Sequence, residues 1–357
     1  MIGIFDINLD ICLRRCAKYA IPTRRIAAAC LTAITFALGI SSLFSTVTQA
    51  DDTNVSFALN YTLGTEHGGI VAADRLGYFR EAGLKVTLLP WSAQTRSETL
   101  VSLGRTDLAI VASMDDALVS MAAGRPIIAL AAFGQSDPSE IGVRADSNIK
   151  RPADLDGKIY GGFGSAKEPL IVKALIMGDG GKGDFHNVTI GTAAYKSVYA
   201  GRVDAALFFT YSEGVEAEMN GRNTRYFRFT DYGLPNQYSS ILVVNRKYLA
   251  ANMDAVRRLV RALVRGYEYQ LEHPADVANM LTAAGSTADP MFLNRSIKEF
   301  NKILKPNGVQ VGHMSLDVWK ARANFWIAGG FLVDGTGAKL TQSPALENYV
   351  TNTYLPQ

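Results

Sequence analysis

Gly104-Arg-Thr-Asp-Leu-Ala-Ile-Val-Ala-Ser-Met-Asp-Asp-Ala-Leu-Val-Ser-Met-Ala-Ala-Gly124-Arg-Pro-Ile-Ile-Ala-Leu-Ala-Ala132 decides the fold. Residues 108–112 and 127–132 are short, unbroken apolar runs, and the stretch 115–123 between them reads as a helix stopped by Gly124. A strand that is apolar along its whole length, rather than at every second residue, is buried on both faces. A helix joining two such strands is the crossover that parallel pairing requires. The same rhythm continues towards the N-terminus. Val55-Ser-Phe-Ala-Leu59 reads as a strand, 68–76 as a helix ended by Gly77, Leu84-Lys-Val-Thr-Leu-Leu89 as a strand closed by Pro90, and 95–103 as a helix.

Towards the C-terminus the pattern breaks near Val143, where the polar, turn-rich segment 146–157 intervenes, and then restarts. Residues 158–160, 188–190 and 205–209 read as strands, with helices over 168–177 and 195–200. Ser240-Ile-Leu-Val-Val-Asn245 then reads as a strand returning to the first unit, followed by a mainly helical tail. In that tail Val256, Leu259, Val260, Leu263 and Tyr267 recur at helical spacing, with an arginine-rich opposite face, until Pro274. The expected architecture is α/β and two-lobed, a clamshell whose lobes are mainly parallel sheets flanked by helices. Lobe 1 takes 51–143 and 239–357, and lobe 2 takes 144–238. Ligands of open α/β sheets gather at strand C-termini, so the cleft between the lobes is the expected site.

The first fifty residues stand apart. Arg14, Arg15, Lys18, Arg24 and Arg25 precede an apolar run from Ile26 to Val47, and Thr48-Gln49-Ala50 supplies small residues before Asp51. That order of charge, apolar stretch and small residues is a secretory signal peptide, with periplasmic export as the expected destination. Thr23-Arg24-Arg25 partly matches a twin-arginine signal, and an uncleaved membrane anchor is the alternative reading of the apolar run. No later segment reaches the roughly 18 consecutive apolar residues of a spanning helix, so a soluble mature chain is expected. All three cysteines, Cys12, Cys16 and Cys30, lie in this leader, which leaves the mature chain without a thiol or disulfide. The leader carries the whole formal charge of +3, so the remainder is close to neutral and gives nucleic-acid binding no electrostatic support. The four histidines, His67, His186, His273 and His313, show no metal-ligand spacing, and there is no P-loop, nucleophile elbow or complete dinucleotide fingerprint. No cofactor is expected.

Candidate ligand groups come from the loops at strand ends. The junction 60–69 follows the first strand and opens a helix, which aims Glu66 and His67 at the cleft, His67 alternatively serving as a packed loop residue. Ser113 and Met114 after the third strand, and Phe133 and Gln135 at the end of the fourth, complete that wall. In lobe 2, Gly161-Gly162-Phe163-Gly-Ser165-Ala-Lys-Glu168 brings a helix N-terminus close. Glu168 there either closes a capping box with Ser165 or accepts from a ligand amine. Tyr61, Trp91, Phe209, Tyr211 and Tyr238 lie near the same strand ends, where they can stack a flat ring.

The segment His67-Gly-Gly-Ile-Val-Ala-Ala-Asp-Arg-Leu-Gly77-Tyr-Phe79-Arg-Glu-Ala-Gly83-Leu84-Lys-Val86 resembles the opening of the ABC-importer solute-binding proteins for sulfonates, nitrate, taurine and the pyrimidine precursor of thiamine. Gly104-Arg-Thr-Asp107, Gly124-Arg-Pro-Ile, Lys150-Arg-Pro-Ala-Asp-Leu155-Asp-Gly157-Lys158 and Gly201-Arg-Val-Asp204-Ala205 extend the match in order across roughly 55–280. The resemblance implies the type II periplasmic-binding-protein clamshell, a small-molecule ligand, an ABC permease as partner, membrane contact only through that permease, and no catalysis. His67 together with Phe209-Thr-Tyr211-Ser-Glu213 looks most like the branch that binds the thiamine pyrimidine precursor or riboflavin. Sulfonate and nitrate binders would present a more cationic, donor-rich pocket. Eukaryotic relatives of the fold synthesise the pyrimidine from their own histidine with pyridoxal phosphate and iron. That activity involves a cysteine-rich motif for which this mature chain has no cysteine.

Overall fold

The computed structural model describes residues 52–92 and 94–357, so the leader reading lies outside the described residues. The strands are β1 (Thr53–Ala58), β2 (Leu84–Leu89), β3 (Leu108–Ser113), β4 (Ile127–Gly134), β5 (Ser139–Arg144), β6 (Ile159–Gly162), β7 (His186–Thr189), β8 (Ala205–Phe209), β9 (Thr224–Arg228) and β10 (Ser239–Asn245). The helices that shape the cleft are α1 (Gly68–Arg75), α2 (Met114–Ala122), α3 (Glu168–Gly178), α4 (Met253–Glu272), α5 (Pro290–Leu304) and α6 (Leu316–Ala328).

Two five-stranded sheets form, in the orders β2-β1-β3-β10-β4 and β7-β6-β8-β5-β9. In the first, β1 pairs in parallel with β2 and β3, while β10 runs antiparallel to both β3 and β4. The second repeats the plan, with β6 parallel to β7 and β8 and with β5 antiparallel to β8 and β9. The reversed strand of each sheet is the one that has just arrived from the other lobe, and each sits fourth in its sheet. The first crossing is already complete by Ser139, ahead of the break read near Val143. The polar stretch that suggested that break connects β5 to β6 inside lobe 2.

Continuous apolar strands are covered on both faces, as their composition requires. Ala109, Val111, Ile241 and Val243 face Trp319 and Trp326 of α6, whereas Leu108, Ile110, Leu242 and Val244 face Leu259, Val260, Leu263 and Tyr267 of α4. Each such aliphatic side chain contributes roughly 1.5–3 kcal/mol on burial. Helix α4 also fixes α1. A methyl group on Gly266 would sit 2.1 Å from the Gly69 carbonyl oxygen, so the backbones touch only because both positions are glycine. That contact sets the height of the loop before α1, whose Glu66 carbonyl accepts from the Tyr267 hydroxyl at 2.7 Å.

Helix α6 ties lobe 1 to the second crossing. The Arg322 guanidinium donates from Nε and Nη2 to both carboxylate oxygens of Asp115 at 2.8 Å, and from Nη1 to the Pro235 carbonyl at 2.8 Å. Trp326 Nε1 donates to the same carboxylate at 2.6 Å. Both ions are buried, and the guanidinium holds the Asp115 carboxyl below its ordinary range against the opposing effect of burial. Removing one partner of such a pair strands the other without solvent. Arg322→Met should therefore lose about 3–5 kcal/mol in urea unfolding, and the double variant Asp115→Asn/Arg322→Met should recover a large part of that loss.

Candidate functional site

A cavity of about 540 Å³ lies between the lobes, within the size range of small-molecule sites. Lobe 1 supplies the loop after β1 and the β3–α2 junction. Lobe 2 supplies the turns after β6 and β8, the two crossings form the floor, and α5 closes one side through Phe292, Leu293 and Ser296.

Of the residues singled out from sequence, Tyr61, Glu66, Ser113, Phe163, Ser165, Glu168, Phe209, Tyr211 and Glu213 are brought together on this wall. The others lie elsewhere, each for an identifiable reason. His67 is fully buried behind the loop. Its Nδ1 accepts from the Gly64 N–H at 3.3 Å, which leaves Nε2–H to donate to Asn60 Oδ1 at 2.9 Å. Met114 points into the core, and Phe133 stacks on Tyr267 with ring centroids 3.8 Å apart. Gln135 spends its Nε2 on the Ala132 and His313 carbonyls. The Tyr238 hydroxyl accepts from Ser315 N at 2.8 Å and anchors the start of α6. Gly162 acts by lacking a side chain, since a methyl group there would meet Glu168 Oε2 at 2.7 Å. Trp91 packs outside, tilted against Tyr61 with centroids 5.1 Å apart.

Glu66 is the centre of the lobe 1 wall. Asn60 Nδ2 donates to its Oε1 at 3.2 Å and Ser240 Oγ to its Oε2 at 3.3 Å, with the Tyr211 hydroxyl of lobe 2 beside it. Ser240 reaches that oxygen from a left-handed backbone, φ 51°, a conformation that costs a non-glycine residue free energy and tends to persist where a site needs it. Burial nevertheless dominates and pushes the Glu66 carboxyl up to about 7. Burial also pushes the neighbouring His67 imidazole down to about 3, so the contact between the two is not an ion pair.

In lobe 2, Glu168 Oε1 accepts from Ser165 N at 3.3 Å, one half of the capping box read from the sequence, but Ser165 Oγ accepts from Lys167 N at 3.4 Å rather than from Glu168 N, because the helix starts only at Glu168. Its Oε2 also accepts from Phe163 N at 2.8 Å and the Tyr160 hydroxyl at 3.3 Å, so the carboxylate holds the whole turn after β6. Glu213 accepts from Phe209 N at 3.0 Å within a single π-turn, and burial raises its carboxyl as well.

Sequence reasoning missed the cations and the floor. Lys167 reaches across the cleft from lobe 2 to Ser113 Oγ at 3.0 Å and Asp116 Oδ1 at 3.4 Å. Arg96 donates to Asp116 at 2.9 Å and pairs with Glu98. Both positive charges on the wall are thus neutralised within the protein. Glu66, Glu168 and Glu213 have no basic partner other than the neutral His67 among the described residues. On the floor, Asp137 accepts from Ser139 N at 3.0 Å and from Gln237 Nε2 at 2.6 Å. Helix α5 links the walls, since Ser296 Oγ bonds Thr65 Oγ1 at 2.6 Å and the Tyr211 carbonyl.

Two lobes, two crossings and an acid- and aromatic-lined cavity between them define a solute-binding clamshell fold. The chain matches the family described as NMT1/THI5 like over residues 64–277, and it belongs to that family. It is 26% identical to the formylaminopyrimidine-binding protein of Halalkalibacterium halodurans over 285 residues, 77% of this chain and 86% of that one. It is 24% identical to the 4-amino-5-hydroxymethyl-2-methylpyrimidine phosphate synthase of Aspergillus parasiticus, covering 70% of this chain and 78% of that one. Among solved structures it resembles the alkanesulfonate-binding protein SsuA of Xanthomonas axonopodis pv. citri bound to MOPS. That match has a TM-score of 0.63 at 17% identity over 85% of this chain and 99% of that one, a likeness of fold.

The two buried titrating groups of the first loop act on stability with opposite signs. Between pH 4.5 and about 7 the folded protein retains a proton on Glu66 that the unfolded chain releases, so stability falls as pH rises. Between about 3 and 6.5 the unfolded chain takes up a proton that the His67 ring refuses, so stability rises with pH. The two offset each other up to the upper limit of the histidine window, beyond which Glu66 acts alone. Thermal melts of ligand-free protein from about pH 5 to 8 should show a nearly flat profile that declines by only about one degree above pH 6.5. Glu66→Gln should abolish the decline and leave a profile that climbs and levels off.

Proposed function

We propose that the protein is the exported receptor of an ABC importer, capturing an aminopyrimidine of the thiamine-precursor type between its lobes and delivering it to a membrane permease. The observation that carries this reading is the charge pattern of the cavity. Four acidic groups on it, Glu66, Asp137, Glu168 and Glu213, have no ion-pair partner among the described residues other than the neutral His67 beside Glu66, and its two cations are already paired. An anion such as a sulfonate or nitrate would meet uncompensated negative charge there. A flat ring with an exocyclic amine offers donors to Glu66 and Glu213 and a face to Tyr61, Phe163, Phe209 or Tyr211. Each stacked aromatic pair adds roughly 0.5–1.5 kcal/mol beyond area burial. Binding without chemistry is the favoured mode. The relative named as a binding protein matches this chain at higher identity and over more of its length than the synthase named above. A periplasmic destination follows from the leader read in the sequence.

Capture works through closure. A ligand that contacts Glu66 on lobe 1 and Glu213 on lobe 2 binds the shut form better than the open one, and that difference shifts the population. The Glu66 carboxyl must be ionised to accept a hydrogen bond from the ligand amine while keeping those of Asn60 and Ser240. Affinity should therefore rise with pH up to about 7 and then level.

Isothermal titration with 4-amino-5-hydroxymethyl-2-methylpyrimidine, its formylaminomethyl analogue, riboflavin, taurine and methanesulfonate tests the reading. Tight binding of the aminopyrimidines and none of the sulfonates is expected. Glu213→Gln should weaken binding about 10- to 100-fold, the loss of one charge-assisted hydrogen bond, and Glu66→Gln should weaken it similarly while flattening its pH dependence. Binding of the sulfonates in preference to the pyrimidines would overturn the proposal.

A further inference from the structure

Gln237 stands on the second crossing, two residues before β10, and Asp137 stands at the matching position of the first crossing, two residues before β5. Both border the cavity. The Gln237 side chain is only 5% exposed, and its Nε2 donates to Asp137 Oδ2 at 2.6 Å. Burial pushes the Asp137 carboxyl up, while the bonds from Ser139 and Gln237 favour its ionised form, which only accepts; the amide NH2 accordingly faces Asp137 and its oxygen faces away. That oxygen, Oε1, is buried with no hydrogen-bond partner in the protein. A buried amide oxygen without a donor carries a desolvation penalty, which a ligand N–H or O–H would relieve.

We propose that Gln237 is a specificity-determining residue that reads an uncharged donor on the ligand's ring substituent from the cavity floor, with Asp137 as the residue that positions its amide. The proposal rests on the reading of the cavity as an aminopyrimidine site and adds to it the edge at which the substituent is recognised. Its position gives it a distinct part in binding. Glu66 and Glu213 lie on opposite walls of the cavity, whereas Gln237 lies on the crossing between the lobes.

Three ligands that differ only at one ring position test this by titration: 4-amino-2-methylpyrimidine bearing a 5-hydroxymethyl group, a 5-methyl group or a 5-carbaldehyde. Wild-type protein should bind the hydroxymethyl compound roughly tenfold more tightly than the methyl compound, with the carbaldehyde weakest because its carbonyl would face Oε1. Gln237→Met keeps the length of the side chain and removes the acceptor. It should reduce affinity for the hydroxymethyl compound roughly tenfold and leave the methyl compound within about twofold, so that selectivity vanishes. Asp137→Asn changes the floor's own charge, but with Oδ1 still accepting from Ser139 N its new amide donates to Gln237, turning Nε2 towards the ligand. The carbaldehyde should then bind more tightly than the methyl compound, a reversal that mere loosening of the floor would not produce. Equal losses for all three ligands in Gln237→Met, or no reversal in Asp137→Asn, would overturn the role of Gln237 alone. Failure of wild-type protein to bind any of the three would overturn the aminopyrimidine reading and this inference together.

Discussion

The chain passes between the lobes twice, and the hydrogen bonds that join those two passages are the constraint on which the site depends. Gln237 donates to Asp137, Asn236 Oδ1 accepts from Asp137 N at 3.3 Å, and Asn236 Nδ2 donates to the Gln135 carbonyl at 3.0 Å. Arg322 then holds the second passage to lobe 1 by way of Pro235 and Asp115. Two connections tied side by side leave one principal axis for relative motion, so the walls can part while the floor keeps its geometry. The buried ionic groups spent here are costly to desolvate, and hydrophobic replacements of buried ion pairs are often as stable. What such a substitute would lack is the fixed direction of each acceptor, and direction is what a floor that recognises a ligand needs.

The walls follow a different logic. Glu66, Glu168 and Glu213 each accept hydrogen bonds from within their own lobe, so each is oriented before any ligand arrives. None has a salt-bridge partner among the described residues other than the neutral His67 beside Glu66, so each keeps its acceptor capacity for a ligand donor. The positive groups that could have paired with them, Arg96 and Lys167, are drawn to Asp116 at the N-terminus of α2. Asp116 sits in the first turn of that helix, where the dipole also favours an acid, and Ser113 caps the same turn.

Much of this was legible in the sequence. The unbroken apolar runs gave β1, β3, β4, β8 and β10, and the strand-end rule pointed Glu66, Ser113, Phe163 and Tyr211 at the cleft, whereas Glu213 came from the family resemblance alone. The errors share a physical cause. Position at a strand end says that a residue is near the cleft but not which way its side chain turns, and that depends on partners far along the chain. Phe133 turns away because Tyr267 of α4 offers a stacking face, and Tyr238 turns away because the start of α6 offers an N–H. His67 is drawn inward by local bonds to Gly64 and Asn60 that close the loop on itself. The pairing of Asp137 with Gln237 spans 100 residues and joins two segments with no periodicity, so nothing local announced it. On the arginine-rich face of α4, the half-exposed Arg265 lies 3.9 Å from the centroid of the Tyr78 ring and pairs with Glu81.

The contact of Lys167 with Ser113 and Asp116 bears on how far closure depends on ligand. It joins the lobes directly, and its side chains are neither fully buried nor freely exposed, at 20% and 16%. Pairs of that kind are worth on the order of 1 kcal/mol, which changes the ratio of shut to open forms only about fivefold. A shift from mostly open to mostly shut needs about 5.5 kcal/mol of differential affinity. The lobes' own ion pair therefore biases the clamshell without deciding its state. Ser296 of α5, bonded to Thr65 and to the Tyr211 carbonyl, adds a second tie of the same modest kind, so the shut form rests on several weak contacts rather than on one strong one.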